Sequence, residues 1–95
     1  MKFQQETERI FAVNEEGTLI AELTFPISEG VATIDHTFVD ESLRGQGVGD
    51  RLLELAVAQL REQGLKIHPT CPFAVKWFEK HPEYAELLTG ESASR

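Results

Sequence analysis

The stretch Arg44-Gly45-Gln46-Gly47-Val48-Gly49 decides how the rest of the chain is read. It stands where the hydrophobic period changes. Upstream, Val31 to Val39 reads as one strand. Downstream, Leu52, Leu53, Ala56, Val57 and Leu60 recur at helical spacing, with Arg51, Glu54, Gln59, Arg61 and Glu62 on the other faces. Gly64 stops that helix. Glycine allows positive φ and close approach of a ligand to the backbone. The first turn of a helix leaves N–H groups without intrahelical partners, and the dipole adds positive potential there. Alternate glycines at such a turn therefore make an anion site suited to phosphate or pyrophosphate. A P-loop is excluded, because Gly49 is followed by Asp50-Arg51 and not by Lys-Ser/Thr. The dinucleotide fingerprint is excluded as well, because the spacing is Gly45-x-Gly47-x-Gly49. On the residues alone, a glycine-rich connection without a ligand is an equally good reading.

Working outward, Arg9 to Val13 reads as a strand and Asn14-Glu15-Glu16-Gly17 as a turn. Leu19, Ala21, Leu23 and Phe25 alternate with Ile20, Glu22 and Thr24, so this strand buries one face. Pro26 ends it, and Ser28-Glu29-Gly30 turns the chain into Val31. These spacings predict an antiparallel meander. Asp40 to Gln46 reads as a polar, flexible link. After the helix, Leu65 to His68 is a short strand, and a second helix is predicted from about Pro72 to Lys80. Its apolar stripe is Phe73, Ala74, Trp77 and Phe78, with Trp77 and Phe78 read as core. His81-Pro82 breaks this helix, Tyr84 to Leu88 adds a last turn, and Thr89 to Arg95 reads as a frayed tail. Strands first, then strand–helix–strand–helix, predict an α+β fold with a mostly antiparallel sheet. The crossover from Val31 through Ile67 predicts that its two strands pair in parallel.

A chain of 95 residues is expected to form one small domain spanning 1–95, and 41% apolar residues is ordinary for a globular one. A net charge of −7 argues against nucleic acid or an anionic membrane as partner. No stretch is long and apolar enough for a membrane span, the N-terminus lacks a signal-peptide pattern, and one cysteine cannot form an internal disulfide. The expected location is the cytoplasm.

Arg44-x-x-Gly47-x-Gly49 resembles the Gln/Arg-x-x-Gly-x-Gly/Ala signature of the GNAT N-acetyltransferase superfamily, whose loop grips the pyrophosphate of acetyl-coenzyme A. The chain is similar, more narrowly, to very small GNAT-like proteins in which a His-Thr-x-Val strand precedes the loop and a Pro-x-Cys segment follows the next strand. Here these are His36-Thr37-Phe38-Val39 and Pro69-Thr70-Cys71, and the resemblance runs from about Ile10 to Tyr84. It implies a minimal GNAT-like fold and acetyl-CoA as co-substrate. It also implies a cofactor site at Phe38, Val39, Arg44, Gly45, Gln46, Gly47, Val48, Gly49, Cys71 and Lys76. Two departures stand out. Where a typical GNAT domain carries two helices that shape the acceptor site, this sequence has only the Pro26 to Gly30 turn, and no counterpart follows for the usual last strands. The acceptor implied is an unidentified amine. Two other classes stay open: a non-catalytic acyl-coenzyme A binding or sensing module, and a small adaptor whose loop is unoccupied.

Cys71 and His36 are the candidate catalytic residues. Pro72 suits the first helical position, which places Cys71 at the N-cap, where a thiolate is stabilised. Cys71 is then either an acetyl carrier, an acid for the departing coenzyme thiol, or a small buried cap. His36 shares the register of Ala32, Ile34 and Phe38, so its ring is expected on the apolar face. It is read as a hydrogen-bonded structural histidine or as a base for the amine. Lys76 and Lys80 either meet a phosphate or are solvated. His68 lies three residues before Cys71, but no paired-ligand spacing supports a metal site, and none is expected.

Overall fold

Alternation and helical period place the elements in order, and the computed structural model describes residues 2–89 of the chain. Strand β1 is Gln4–Glu6, β2 Arg9–Val13, β3 Leu19–Thr24, β4 Ile27–Ser28, β5 Val31–Ile34, β6 His36–Val39 and β7 Lys66–Pro69. Helix α1 is Val48–Glu62 and α2 Pro72–Glu79, with 3-10 turns at Glu41–Leu43 and Pro82–Leu87. This is an α+β architecture, mostly antiparallel. One sheet runs β1-β2-β3-β6 and is antiparallel throughout. The second runs β4-β5-β7, and its β5–β7 pair is parallel, as the crossover through α1 requires.

The nine-residue strand expected from Val31 to Val39 is two strands in two sheets. Ala32 and Ile34 are buried, Asp35 and His36 are exposed in succession, and the alternation slips by one residue. The slip is held locally. Thr24 donates its hydroxyl to Asp35 Oδ1 at 2.6 Å, and the Asp35 N–H reaches the Thr24 carbonyl. An extra residue of this kind bends a strand and redirects its side chains. Beyond it, β6 pairs with β3 so that Thr37 lies opposite Leu23 and Val39 opposite Ala21, while His36 and Phe38 lie opposite Thr24 and Glu22. Inward and outward positions are therefore exchanged relative to the sequence expectation. Two smaller differences concern polar segments. Asp40–Gln46 is not a loose link but carries a 3-10 turn, whose N-cap is Asp40 accepting from the Ser42 amide. β1 and β4 arise where the sequence showed no strand pattern.

The core is one cluster of apolar side chains between the first sheet and the helices. Ile10, Leu23, Phe25, Ile34, Leu52, Leu53, Leu60 and Ile67 are its largest fully buried members. The five apolar positions predicted for α1 are all buried. In α2, Ala74, Trp77 and Phe78 join the core, but Phe73 is 43% exposed and stands outside it. Gly64, with φ 73°, ends α1's last turn and lets the chain reverse into β7. Thr89 donates its N–H to the Ile67 carbonyl at 3.0 Å, whereas the rest of the expected tail, 90–95, lies outside the described residues.

Leu53 is fully buried on α1. Leu53→Ala is expected to lower stability by about 2–5 kcal/mol, the usual cost of removing a core leucine. A urea melt should show a lower midpoint with an unchanged slope. A wild-type midpoint would contradict this placement of the core.

Candidate active site

The site begins where the two sheets part. The last parallel pair is Ile34 with Pro69, and the Ile34 carbonyl accepts from both Thr70 N–H (3.0 Å) and Cys71 N–H (3.1 Å). From there β6 turns away to pair with β3, while the other chain enters α2. The Asp40 N–H donates to the Ile20 carbonyl at 2.8 Å, so in this antiparallel ladder the even-numbered residues of β6 face β3. The backbone groups of Thr37 and Val39 consequently point to the free edge. That edge forms one side of a cavity of about 430 Å³, lined by Thr37 and Val39 from β6. Leu43, Arg44, Gly45, Gly47, Val48, Gly49 and Asp50 line it from the loop and α1, and Phe73 from α2.

The loop side of the cavity is shaped for an anion. Gly45 (φ 83°) and Gly47 (φ 77°) take left-handed backbone, which glycine adopts without the penalty a Cβ brings. Gly47 is the N-cap of α1 and offers no side-chain cap. The first intrahelical bond runs from Arg51 N–H to the Gly47 carbonyl at 3.0 Å, leaving the amides of the first turn directed out of the helix end. Arg44 is exposed and makes no salt bridge with another described residue, so its charge is available to the cavity. Asp50 is an acid on this wall, but Trp77 Nε1–H donates to its Oδ1 at 2.9 Å, which draws the carboxylate towards α2. Trp77 is in turn stacked on His81, with centroids 3.9 Å apart, and on Tyr84 at 5.6 Å. Helix α2 is thereby fastened to the first turn of α1.

Cys71 lies at the far end of the gap. It is the N-cap of α2, with Pro72 following it, and its thiol donates to Thr37 Oγ1 at 3.5 Å. Desolvation is the largest influence on this thiol and raises its pKa. The Thr37 hydroxyl, with the amides of Ala74, Phe73 and Thr37, outweighs it, so the net pKa lies below the ordinary cysteine value. A partly buried sulfur is thus met by donors from both β6 and the helix N-terminus, the setting that favours a thiolate.

The site residues expected from the sequence fall into two groups. Val39, Arg44, Gly45, Gly47, Val48 and Gly49 share the cavity lining, and Cys71 touches that lining through Thr37. Phe38, Gln46, Lys76 and His36 are not on it. Phe38 lies on the opposite face of β6, and Gln46 turns its side-chain amide back to the Ser42 carbonyl at 3.3 Å. Lys76 is exposed on α2. The expectation that His36 faces the apolar side is corrected: its ring is on the outer face, with Nε2 3.3 Å from Glu22 Oε1. Glu22 is also held by Arg9 Nε at 2.6 Å. Thr37, Leu43, Asp50 and Phe73 line the cavity without having been picked out from the sequence. The shift at Asp35 hides Thr37, and helical period alone groups Phe73 with the core. Among the described residues no group of three or more His, Cys, Asp or Glu side chains is placed to hold a metal ion.

Removing the Thr37 hydroxyl should raise the Cys71 pKa, because that hydroxyl supports the thiolate. Alkylation of Thr37→Val by iodoacetamide at neutral pH should be severalfold slower than in the parent, with the two rates converging at high pH. Identical rates across the pH range would show that Thr37 does not govern the thiol.

Comparison with known proteins bears on the same residues. A family profile described as GCN5-related N-acetyl-transferase matches residues 9–87. Protein NATD1 from Gallus gallus is 28% identical over 89 residues, covering 92% of this chain and 78% of that protein. The solution structure of a GCN5-like protein from Staphylococcus aureus superposes with a TM-score of 0.78 at 34% identity, covering 94% of this chain and 88% of that one. An acetyltransferase from Bacillus cereus gives a TM-score of 0.63 at 28% identity, and the match takes in 77% of this chain and 54% of that one.

Proposed function

The chain belongs to the GCN5-related N-acetyltransferase family, and on that premise we propose that it moves acetyl from acetyl-coenzyme A to an amine by way of Cys71. The observation that carries this reading is that Thr37, on the lining of the loop's cavity, meets the Cys71 sulfur. The anion-shaped loop at Gly45–Gly49 and the thiolate-stabilising nest around Cys71 meet along the free edge of β6. In this reading the coenzyme's pyrophosphate takes the first-turn amides of α1 and the charge of Arg44, and its thioester reaches the Thr37 end of the gap.

The transfer then runs in two halves. The Cys71 thiolate attacks the acetyl carbonyl, a new carbon–sulfur bond forms at Cys71, and the bond to the coenzyme breaks. The coenzyme leaves as a thiolate, which takes a proton from solvent. In the second half an amine attacks the Cys71 thioester, loses a proton, and releases the Cys71 thiolate. His36 stands on the outer face of β6 with Glu22 against its Nε2, away from the Thr37 side that meets Cys71, so the amine's proton passes to solvent. The net charge of −7 favours the approach of a cationic amine.

Intact mass spectrometry under denaturing conditions separates the halves. After incubation with acetyl-coenzyme A the parent should carry one acetyl adduct, and Cys71→Ser none. His36→Gln should acquire the adduct and pass it to an added amine at the parental rates, and a second half slowed roughly 10²-fold would instead make His36 the general base. A parent that binds the coenzyme, shown by thermal stabilisation, yet never carries an adduct would remove Cys71 as carrier. It would leave direct transfer or simple binding. Arg44→Ala should weaken that thermal stabilisation at equal ligand concentration. Equal stabilisation would take Arg44 out of the site.

A further inference from the structure

Gly45 and Gly47 are explained by their backbone, but Gly49 is not. It lies inside α1, in a helical conformation open to any residue, where glycine is the poorer helix former. The family signature admits alanine at this position. Here, however, a Cβ on Gly49 would fall 2.6 Å from Phe73 Cζ and 3.0 Å from its Cε2. The missing side chain makes a notch in the first turn of α1, and the Phe73 ring sits in it.

Phe73 is tied to the site at both ends. Its ring lines the cavity against the loop, and its backbone amide is one of the groups that support the Cys71 thiolate. It is also the most exposed large apolar side chain among the described residues, at 43%, so its packing in the core does not account for its position. We propose that Phe73 is a positioning residue of the coenzyme site. Its ring, seated in the Gly49 notch, sets the spacing between the phosphate loop and the Cys71 sulfur. This rests on the reading that the cavity takes a coenzyme A thioester. It also adds what the family signature does not contain: in this chain glycine at position 49 is dictated by a ring from the next helix.

The test is a double-mutant cycle of Gly49→Ala and Phe73→Leu. It is read by calorimetric affinity for coenzyme A, by the rate of Cys71 acetylation, and by melting temperature. Gly49→Ala should melt at or above the parental temperature, because alanine favours the helix, yet lose about tenfold in affinity and in acetylation rate. Phe73→Leu should show a loss of similar size. The double variant should match Phe73→Leu alone, since leucine has no atom at the Cζ position to be displaced. Parental affinity and acetylation in a folded Gly49→Ala would overturn the proposal, as would losses that multiply in the double variant. If the parent itself fails to bind coenzyme A, the proposed function falls, and the cycle is read from Cys71 alkylation by iodoacetamide. There, Gly49→Ala should change the rate in the parental background and leave it unchanged beside Phe73→Leu. An unchanged rate in both backgrounds overturns the proposal.

Discussion

The break at Asp35 is the constraint on which the rest of the molecule depends. A strand that continued straight through it would keep β6 beside β7 and close the sheet. The Thr24–Asp35 hydrogen bonds instead turn the chain by one register step, and β6 is handed from the β5–β7 sheet to β3. One edge of β6 is left without a strand partner among the described residues. The cavity, the loop end of α1 and the nest around Cys71 all open onto that edge. The opening therefore follows from a local backbone event in an exposed, polar stretch and not from the core.

Two helix N-termini converge on this opening. Both α1 and α2 direct first-turn amides at it, one from the glycine loop and one behind Cys71. They create a local positive potential in a protein whose net charge is −7. The two ends hold their spacing through two side chains of α2: the core residue Trp77 on Asp50, and the exposed Phe73 on Gly49. An acidic chain can thus favour an anionic ligand at one place on its surface.

Much of this was legible in the residues. The helical period from Leu52 to Leu60 and the alternation from Leu19 to Phe25 each specify a buried face, and the structure buries the first whole and Ala21, Leu23 and Phe25 of the second, with Leu19 left partly exposed. The glycine spacing at Gly45–Gly49 located the loop because it departs from both helix and strand patterns. What period could not reveal was its own interruption. Val31 to Val39 alternates plausibly for nine residues, so the slip at Asp35 does not show in it, and His36 and Phe38 fall by period on the face of Ala32 and Ile34, which the structure does not give them. The Asp-His pair in an otherwise apolar-alternating run, longer than an ordinary strand, was the available signal. Phe73 lies roughly a quarter turn from the centre of the Ala74–Trp77–Phe78 stripe at 100° per residue, on the border where period cannot separate core from cavity. β1 is polar and exposed along Gln4–Glu6, and such an edge strand carries no hydrophobic pattern to read.

In the proposed function a coenzyme lies along the free edge of β6, from the glycine loop to Cys71. An amide-resolved NMR titration of the uniformly ¹⁵N-labelled protein with coenzyme A addresses it directly. The largest shifts should fall on residues 44–50, on Thr37 and Val39, and on residues 71–74. The outer-face strands β1 and β2 should stay still. Shifts concentrated on β1 and β2, or none at saturating coenzyme, would contradict it.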